Sequence, residues 1–302
     1  MRVLVTGAAG FVGTRLCARL GARGDAAIPH DRDLDVTDAV RVRAAVARER
    51  PDAIVHLAAI SSVPEAEADP LRAFRVNTLG AHAVLGAALR EAPRARILLV
   101  TSAAVYGAAP PNSAGFDESA PLRPATAYAR TKAAADLLGA AYAQRGLAVV
   151  RARPFNHTGA GRPTAFVEAR LARDVAEIAA GRRPSRLELA NPESRRDFLD
   201  VGDVIEAYLA LLEPSVPVGA YNIASGEPVT MLDLALRLCR LAGIAPEIVA
   251  RQDPLRAPDA TIGSAAKLRA ATGWRPRRAF DDTLRELLEA RLGSERESAA
   301  EA

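Results

Sequence analysis

Residues 3–16, VLVTGAAGFVGTRL, pass from an apolar, β-branched run through glycines at positions 7, 10 and 13 into a helical pattern. That order constrains the fold more than any other stretch. Glycines between a strand and a helix permit a tight turn and close approach of backbone to a ligand, while the helix N-terminus offers free N–H groups and a positive dipole end. Glycine-rich turns also serve as plain connectors. With a strand before and a helix after, the reading is a dinucleotide pyrophosphate seated on Gly7, Gly10, Phe11, Val12 and Gly13.

The alternation then repeats. RVLVT leads to a helix from Phe11 to about Ala22, AAIP to a helix from Thr37, and AIVHL to a helix from about Asp69 to Glu91. RILLVT leads to a helix from Thr126 to about Arg145, and LAVVRA follows. Continuous apolar runs separated by helices mark a parallel sheet covered on both faces. The fold class is α/β, a Rossmann-type doubly wound parallel sheet with a smaller C-terminal substrate-binding lobe. Residues 1–153 form the dinucleotide-binding part. Residues 154–292 form mainly the second lobe, with helices near Phe166–Ala180, Val201–Leu212, Met231–Ala242, Ser264–Ala271 and Phe280–Leu292, and with elements that can return to the sheet. Residues 293–302, charged and small, read as a frayed tail.

A chain of 302 residues that is 49% hydrophobic can bury an ordinary core. Its net charge of +4 comes from arginines scattered through helices, which argues against a nucleic-acid partner. Cys17 and Cys239 lie far apart without a CxxC or histidine spacing, so they read as reduced thiols, and no metal site is expected. The start MRVLVTG enters a strand at once, and no apolar run approaches the roughly 18 residues that span a bilayer. The expectation is a cytoplasmic protein without a membrane partner.

The second strand ends in IPHDRDLDVTD, where an acidic group can bind the adenosine ribose and an arginine a 2′-phosphate. Asp31 argues for NAD(H) and Arg32 for NADP(H), with Asp35 placed near the adenine. The balance leans to NADP(H), because Arg32 can stack and pair at once.

In YARTK, Tyr128 and Lys132 stand four apart at the start of a helix and share a face. An ammonium beside the phenol stabilises phenolate and fits the tyrosine for proton transfer near neutral pH. Such pairs are often plain surface side chains. Here LLVTSAAVYG adds Ser102 at the carboxyl end of the fourth strand, the side on which open α/β sheets bind ligands.

Together, TGAAGFVG, HLAA, VNTLG, TSAAVYG, YARTK, RRDFLDV and TGW resemble, in order, the extended short-chain dehydrogenase/reductases that act on nucleotide sugars. The resemblance implies Tyr128 as acid/base, Lys132 on the nicotinamide ribose and Ser102 on the reacting sugar oxygen. It also places Leu57, Ala58, Ala59 and Asn77 at the coenzyme, and Asn156, His157, Arg173, Arg196 and Arg256 at the nucleotide sugar. The arginines suit bidentate contact with a diphosphate, although Arg196 can equally pair with Asp197 or Asp200.

Within that family, dehydratases carry an acid after the serine, whereas this chain has Ala103 and Ala104, which exchange no proton. RPFNHTGAGR resembles the loop of GDP-4-dehydro-6-deoxy-D-mannose reductases, which read FNHTGPGQ, with Ala160 and Arg162 as departures. SAAVYG is closer to the epimerases. The resemblance therefore implies an NAD(P)H-dependent reductase of a GDP-linked 4-keto-6-deoxy sugar. A 4-epimerase with tightly held NAD is the alternative, and a catalytically silent NAD(P)-binding regulatory protein is the alternative of another class. It also implies a homodimer through the helices from Asp69 and Thr126.

Overall fold

In the computed structural model, which describes residues 1–110, 113–251 and 259–300, the first strand, β1 (Arg2–Thr6), turns Val3 and Val5 to one face and Leu4 to the other. Helix α1 (Phe11–Ala22) covers the first face with Leu16 and Leu20. β2 (Ala26–His30) follows, then α2 (Ala39–Glu49), which begins two residues later than the apolar pattern implies. The delay is local: the Asp35 carboxylate accepts from both Thr37 groups, and Asp38 caps the helix through Val40 and Arg41.

After β3 (Ala53–His56), the stretch read as one helix from Asp69 is broken into parts. Ser62 caps α3 (Val63–Ala68), and Asp69 caps α4 (Pro70–Phe74), whose proline occupies the first turn. A π-helical turn, Arg75–Leu79, joins α4 to α5 (Gly80–Glu91). Next come β4 (Arg96–Val100), a 3₁₀ turn (Ala103–Tyr106), α6 (Ala127–Gln144), β5 (Ala148–Pro154) and β6 (Asn156–Thr158).

The C-terminal half contains α7 (Val167–Ala179), β7 (Arg186–Ala190), β8 (Arg195–Asp200), α8 (Val201–Leu211), β9 (Gly219–Ile223) and β10 (Pro228–Thr230). α9 (Met231–Ala242), β11 (Glu247–Arg251), β12 (Ala260–Thr261), α10 (Ala266–Thr272) and α11 (Phe280–Ala300) complete it. The last helix continues past Leu292 through Ala300, because the residues after Gly293 are helix formers without a proline.

Six parallel strands form the central sheet in the order β2-β1-β3-β4-β5-β9. Alternate residues feed two cores. Val55, Leu98 and Val150 face α1 and α8, whereas Ile54, Ile97 and Val149 face α2, α5 and α6. β9 comes from the C-terminal half, so the sheet binds both halves together. Around β8 a smaller sheet gathers β6, β10 and β12, and a third core joins α7, α9 and α11 through Leu171, Leu238 and Leu287.

Helix α6 is pinned to the sheet by charge. Asp136 is fully buried, pairs with Arg151 and Arg153 at 2.7 Å, and accepts from Thr101 at 3.2 Å. Burial alone would raise its carboxyl, yet the two arginines outweigh that and hold it below the ordinary value. Arg153, the first residue of the RPFNHTGAGR stretch, also donates to the Tyr106 hydroxyl at 2.8 Å.

Candidate active site

Strand order reverses between β1 and β3, and the carboxyl ends of these strands open into a cleft of about 1140 Å³. Gly7 stands there with φ +70°, and a Cβ on it would come within 2.7 Å of the Ala58 nitrogen. A Cβ on Gly13 would lie 2.2 Å from the Gly7 carbonyl oxygen, so only glycine lets α1 start this close to the strand. Gly10 caps α1 without a side-chain hydrogen bond, and the first turn carries no acid. The cradle is open to an anion.

Gly7, Gly10, Phe11, Val12, Gly13, Leu57, Ala58 and Ala59 all line the cleft, as do Asp31, Arg32 and Asp35. The Asp35 carboxylate is already engaged by Thr37, which lowers its proton affinity. Asp33, largely exposed, hydrogen-bonds His30 at 2.7 Å and the Asp31 N–H, and its neighbours Asp31 and Arg32 line the cleft as a charged pair. Asn77 does not line the cleft. Its amide accepts from the Ile60 N–H at 2.8 Å and donates to the Ile60 carbonyl and to Thr131, so it braces the loop after β3 against α6.

At the far end Ser102, Tyr128 and Lys132 meet in the same cleft. Ser102 leaves β4, and its oxygen caps the 3₁₀ turn by accepting from Ala104 at 3.1 Å. Thr126 caps α6 through the Ala129 N–H, which sets Tyr128 in the helix's first turn. Burial pushes the Tyr128 phenol up, and a hydrogen bond from Ser102 and the charge of Arg162 pull it back. The Lys132 ammonium donates to the Val100 carbonyl at 2.8 Å, and burial lowers it to about 8. Ala103 and Ala104 line the cleft beside Ser102 and exchange no proton.

Asn156 and His157 also line the cleft. Asn156 donates to the Asp197 carbonyl at 3.2 Å, joining β6 to β8. His157 contacts the Phe155 carbonyl through Nδ1 at 3.1 Å, and burial lowers it to about 4, so it is neutral at physiological pH. Arg196 reaches the cleft and pairs with Asp259 at 2.8 Å; Asp197 is instead buried against Ser225, Gly226 and Gly263. Arg173 is not brought to the cleft, because its guanidinium turns to Asp174 and Glu177 of its own helix. Arg256 lies outside the described residues.

Sequence reasoning missed Arg162, Phe166 and Glu168, which line the cleft beside Tyr128. Arg162 stood out only as a departure within its motif, and no spacing marks the other two. Among the described residues no cluster of His, Cys, Asp or Glu is arranged to hold a metal ion, and no helix is long and apolar enough to cross a membrane.

The model of the NAD dependent epimerase/dehydratase family matches residues 3–224, most of the chain. The chain belongs to this family. GDP-6-deoxy-D-mannose reductase of Pseudomonas aeruginosa is 36% identical to it over 95% of this chain and 96% of its own. The structure of RMD from Pseudomonas aeruginosa complexed with NADPH superposes with a TM-score of 0.89 at 35% identity, covering 97% of this chain and 99% of that one. The Thermus thermophilus UDP-glucose 4-epimerase complex with NAD gives 0.86 at 30% identity, covering 97% and 100%. As an epimerase/dehydratase family member, the chain is an NAD(P)-dependent oxidoreductase of the extended short-chain type, built on the α/β sheet its opening residues imply.

Proposed function

We propose that the chain reduces the C4 ketone of a nucleotide-linked 4-keto-6-deoxy sugar, with a GDP-linked sugar preferred, in deoxysugar biosynthesis. The observation that carries this is the meeting of Ser102, Tyr128 and Lys132 with the glycine cradle in one cleft, in a chain similar throughout its length to a GDP-6-deoxy-D-mannose reductase. A reduced nicotinamide coenzyme supplies the hydride when bound. Gly7, Gly10 and Gly13 leave room for its pyrophosphate at the start of α1, and the planar guanidinium of Arg32 favours a 2′-phosphate over the free ribose.

Tyr128 gives its proton to the forming alkoxide, and Ser102 donates a hydrogen bond to the same oxygen. Lys132, with one donor spent on Val100, keeps two N–H groups for the ribose. Arg196 and Asn156 face the diphosphate and sugar, with the neutral His157 as a wall of the pocket. NADPH and NADH oxidation followed with GDP- and dTDP-linked 4-keto-6-deoxy sugars, with product stereochemistry by NMR, tests the assignment. Consumption of NADPH with the GDP sugar is expected; no turnover of either sugar refutes it.

The SAAVYG turn and the superposition on an NAD-bound epimerase favour a 4-epimerase as the second reading. Coenzyme that survives purification, together with interconversion of a nucleotide sugar without net NADPH oxidation, would select it. We also assign a homodimer. Leu71, Phe74 and Leu79 on α4 and the π-helical turn, and Leu137 on α6, are exposed apolar side chains on the helices expected to pair. Light scattering should give twice the 31.8 kDa chain mass, and a monomer would refute it. A cytoplasmic setting fits the free thiols of Cys17 and Cys239.

A further inference from the structure

The loop of residues 159–162 lies on the first turns of α1. A Cβ on Gly159 would stand 3.8 Å from Cζ of Phe11, and one on Gly161 would stand 3.6 Å from the Arg15 guanidinium. Arg15 donates to the Ala160 carbonyl with one nitrogen and to the Phe11 carbonyl with another, and its guanidinium carbon is 4.5 Å from the centre of the Phe11 ring. The guanidinium carbon of Arg162 is 5.1 Å from the centre of the same ring. A loop of the C-terminal half is thereby docked on the helix whose N-terminus forms the phosphate cradle.

Arg162 is also fixed from its own side of the cleft. Its guanidinium carbon lies 3.5 Å from the centre of the Phe166 ring, its Nε donates to Glu168 at 3.2 Å, and its carbonyl accepts from Arg291 of α11. Only 11% of the side chain is exposed, yet its two Nη groups make no hydrogen bond among the described residues, and Arg162 lines the cleft. The aromatic rings take the flat faces of the guanidinium and the carboxylate takes Nε, so the Nη edge remains for a ligand. A nearly buried cation with its terminal N–H bonds unspent is completed by an anion.

Two diphosphates enter the cleft under the proposed function, one from the coenzyme and one from the nucleotide sugar. Arg196 and Asn156, on β8 and β6, are assigned to the second. Arg162 instead stands over Phe11, the first residue of α1, where the first turn has no acid and the cap no side-chain hydrogen bond. We propose that Arg162 is a ligand of the coenzyme pyrophosphate, presented to the cradle by Phe11, Phe166 and Glu168, so that the anion is held from the glycine turn and from the loop after β6 together. Glu168 offsets part of the cation's charge. The glutamine of the reductases this loop resembles can donate a hydrogen bond there but brings no charge. The inference rests on the reading of the cradle as the coenzyme's seat, and not on the identity of the sugar.

Calorimetric titration of the full chain with NADPH, ADP-ribose, adenosine 2′-phosphate and GDP tests it. ADP-ribose carries the pyrophosphate without the nicotinamide, adenosine 2′-phosphate lacks it, and GDP reports on the nucleotide-sugar side. Arg162→Gln is expected to weaken NADPH and ADP-ribose about tenfold and to leave the other two within about twofold of wild type. Glu168→Gln keeps an acceptor for Nε and removes the competing charge, so ADP-ribose should tighten about threefold. Unchanged ADP-ribose affinity in Arg162→Gln, a loss on GDP in its place, or weakening in both variants overturns the proposal; the last marks a loosened loop, which acts with one sign. Should Arg162→Gln fail to fold, Arg162→Met, which keeps an apolar stem against the two rings, and Glu168→Gln carry the same comparison. Failure of the wild type to bind ADP-ribose refutes the cradle reading and this inference with it, whereas wild-type binding that Arg162→Gln leaves unmoved refutes this inference alone. No sugar is turned over in these titrations, so absence of turnover bears on the reductase reading alone.

Discussion

The side-chain amide of Asn77 donates to Thr131 Oγ1 at 2.9 Å and also closes a two-bond ring with the backbone of Ile60. A residue in a π-helical turn thereby connects the loop after β3 to the helix that carries Tyr128 and Lys132. Both Ile60 groups are buried with it, so neither can turn to water instead.

Asn77→Ala is expected to cost about 2–4 kcal/mol, because it strands an N–H and a carbonyl at Ile60. Since that loop lines the coenzyme cleft, NADPH affinity should fall about tenfold. Urea unfolding and fluorescence titration with NADPH measure the two losses. Wild-type stability in the variant would show that the ring of bonds contributes nothing.

Tyr128→Phe keeps the ring and removes the proton. Turnover is expected to fall by a factor on the order of 10² or more, with coenzyme binding intact. Steady-state kinetics alongside NADPH titration separates the two effects, and near-normal activity would remove Tyr128 from its assigned role.

Two buried histidines should make the fold sensitive to acid. Burial lowers His56, bonded to Thr6 at 2.8 Å, to about 3, and lowers His157 to about 4, both from 6.5. Folded values below the unfolded one mean that the unfolded chain binds more protons between them. The stability from each imidazole is therefore complete above pH 6.5 and drains as pH falls toward the folded value, by about 3–5 kcal/mol in each case. Denaturant unfolding between pH 7.5 and 4 should show a shallower decline in His56→Gln than in wild type. Equal slopes would exclude this linkage.

Asp136→Asn leaves Arg151 and Arg153 buried beside a neutral amide, and a loss of about 3–5 kcal/mol is expected in chemical denaturation. Because this pair of bridges anchors α6 rather than touching the cleft, KM for the coenzyme should change less than the stability does.

The features legible in the sequence are those set by neighbouring residues. Period-two and helical patterns marked the strands and most helices of the sheet, and the glycine turn, Ser102, Tyr128 and Lys132 were readable because local backbone geometry decides where such residues stand. The interruption of the helix after Asp69 escaped that reading, since a π-helical turn leaves the apolar pattern almost unchanged while shifting which side chain faces inward. The family resemblance placed Arg173 at the nucleotide, yet its own helix supplies nearer carboxylates.

By itself, the sequence determined an α/β sheet with a phosphate cradle at its first turn and a Ser, Tyr and Lys set at the carboxyl ends of its strands. Only the tertiary structure decided which residues of remote segments join Tyr128 in the cleft. Lys132 lies four residues from Tyr128 along the chain and its ammonium donates to the Val100 carbonyl, whereas Arg162 arrives from a different loop and is oriented by Glu168. The reason is physical: periodicity and turn chemistry act over a few residues, but a charge acts through distance and burial, and these exist only once remote segments have packed together.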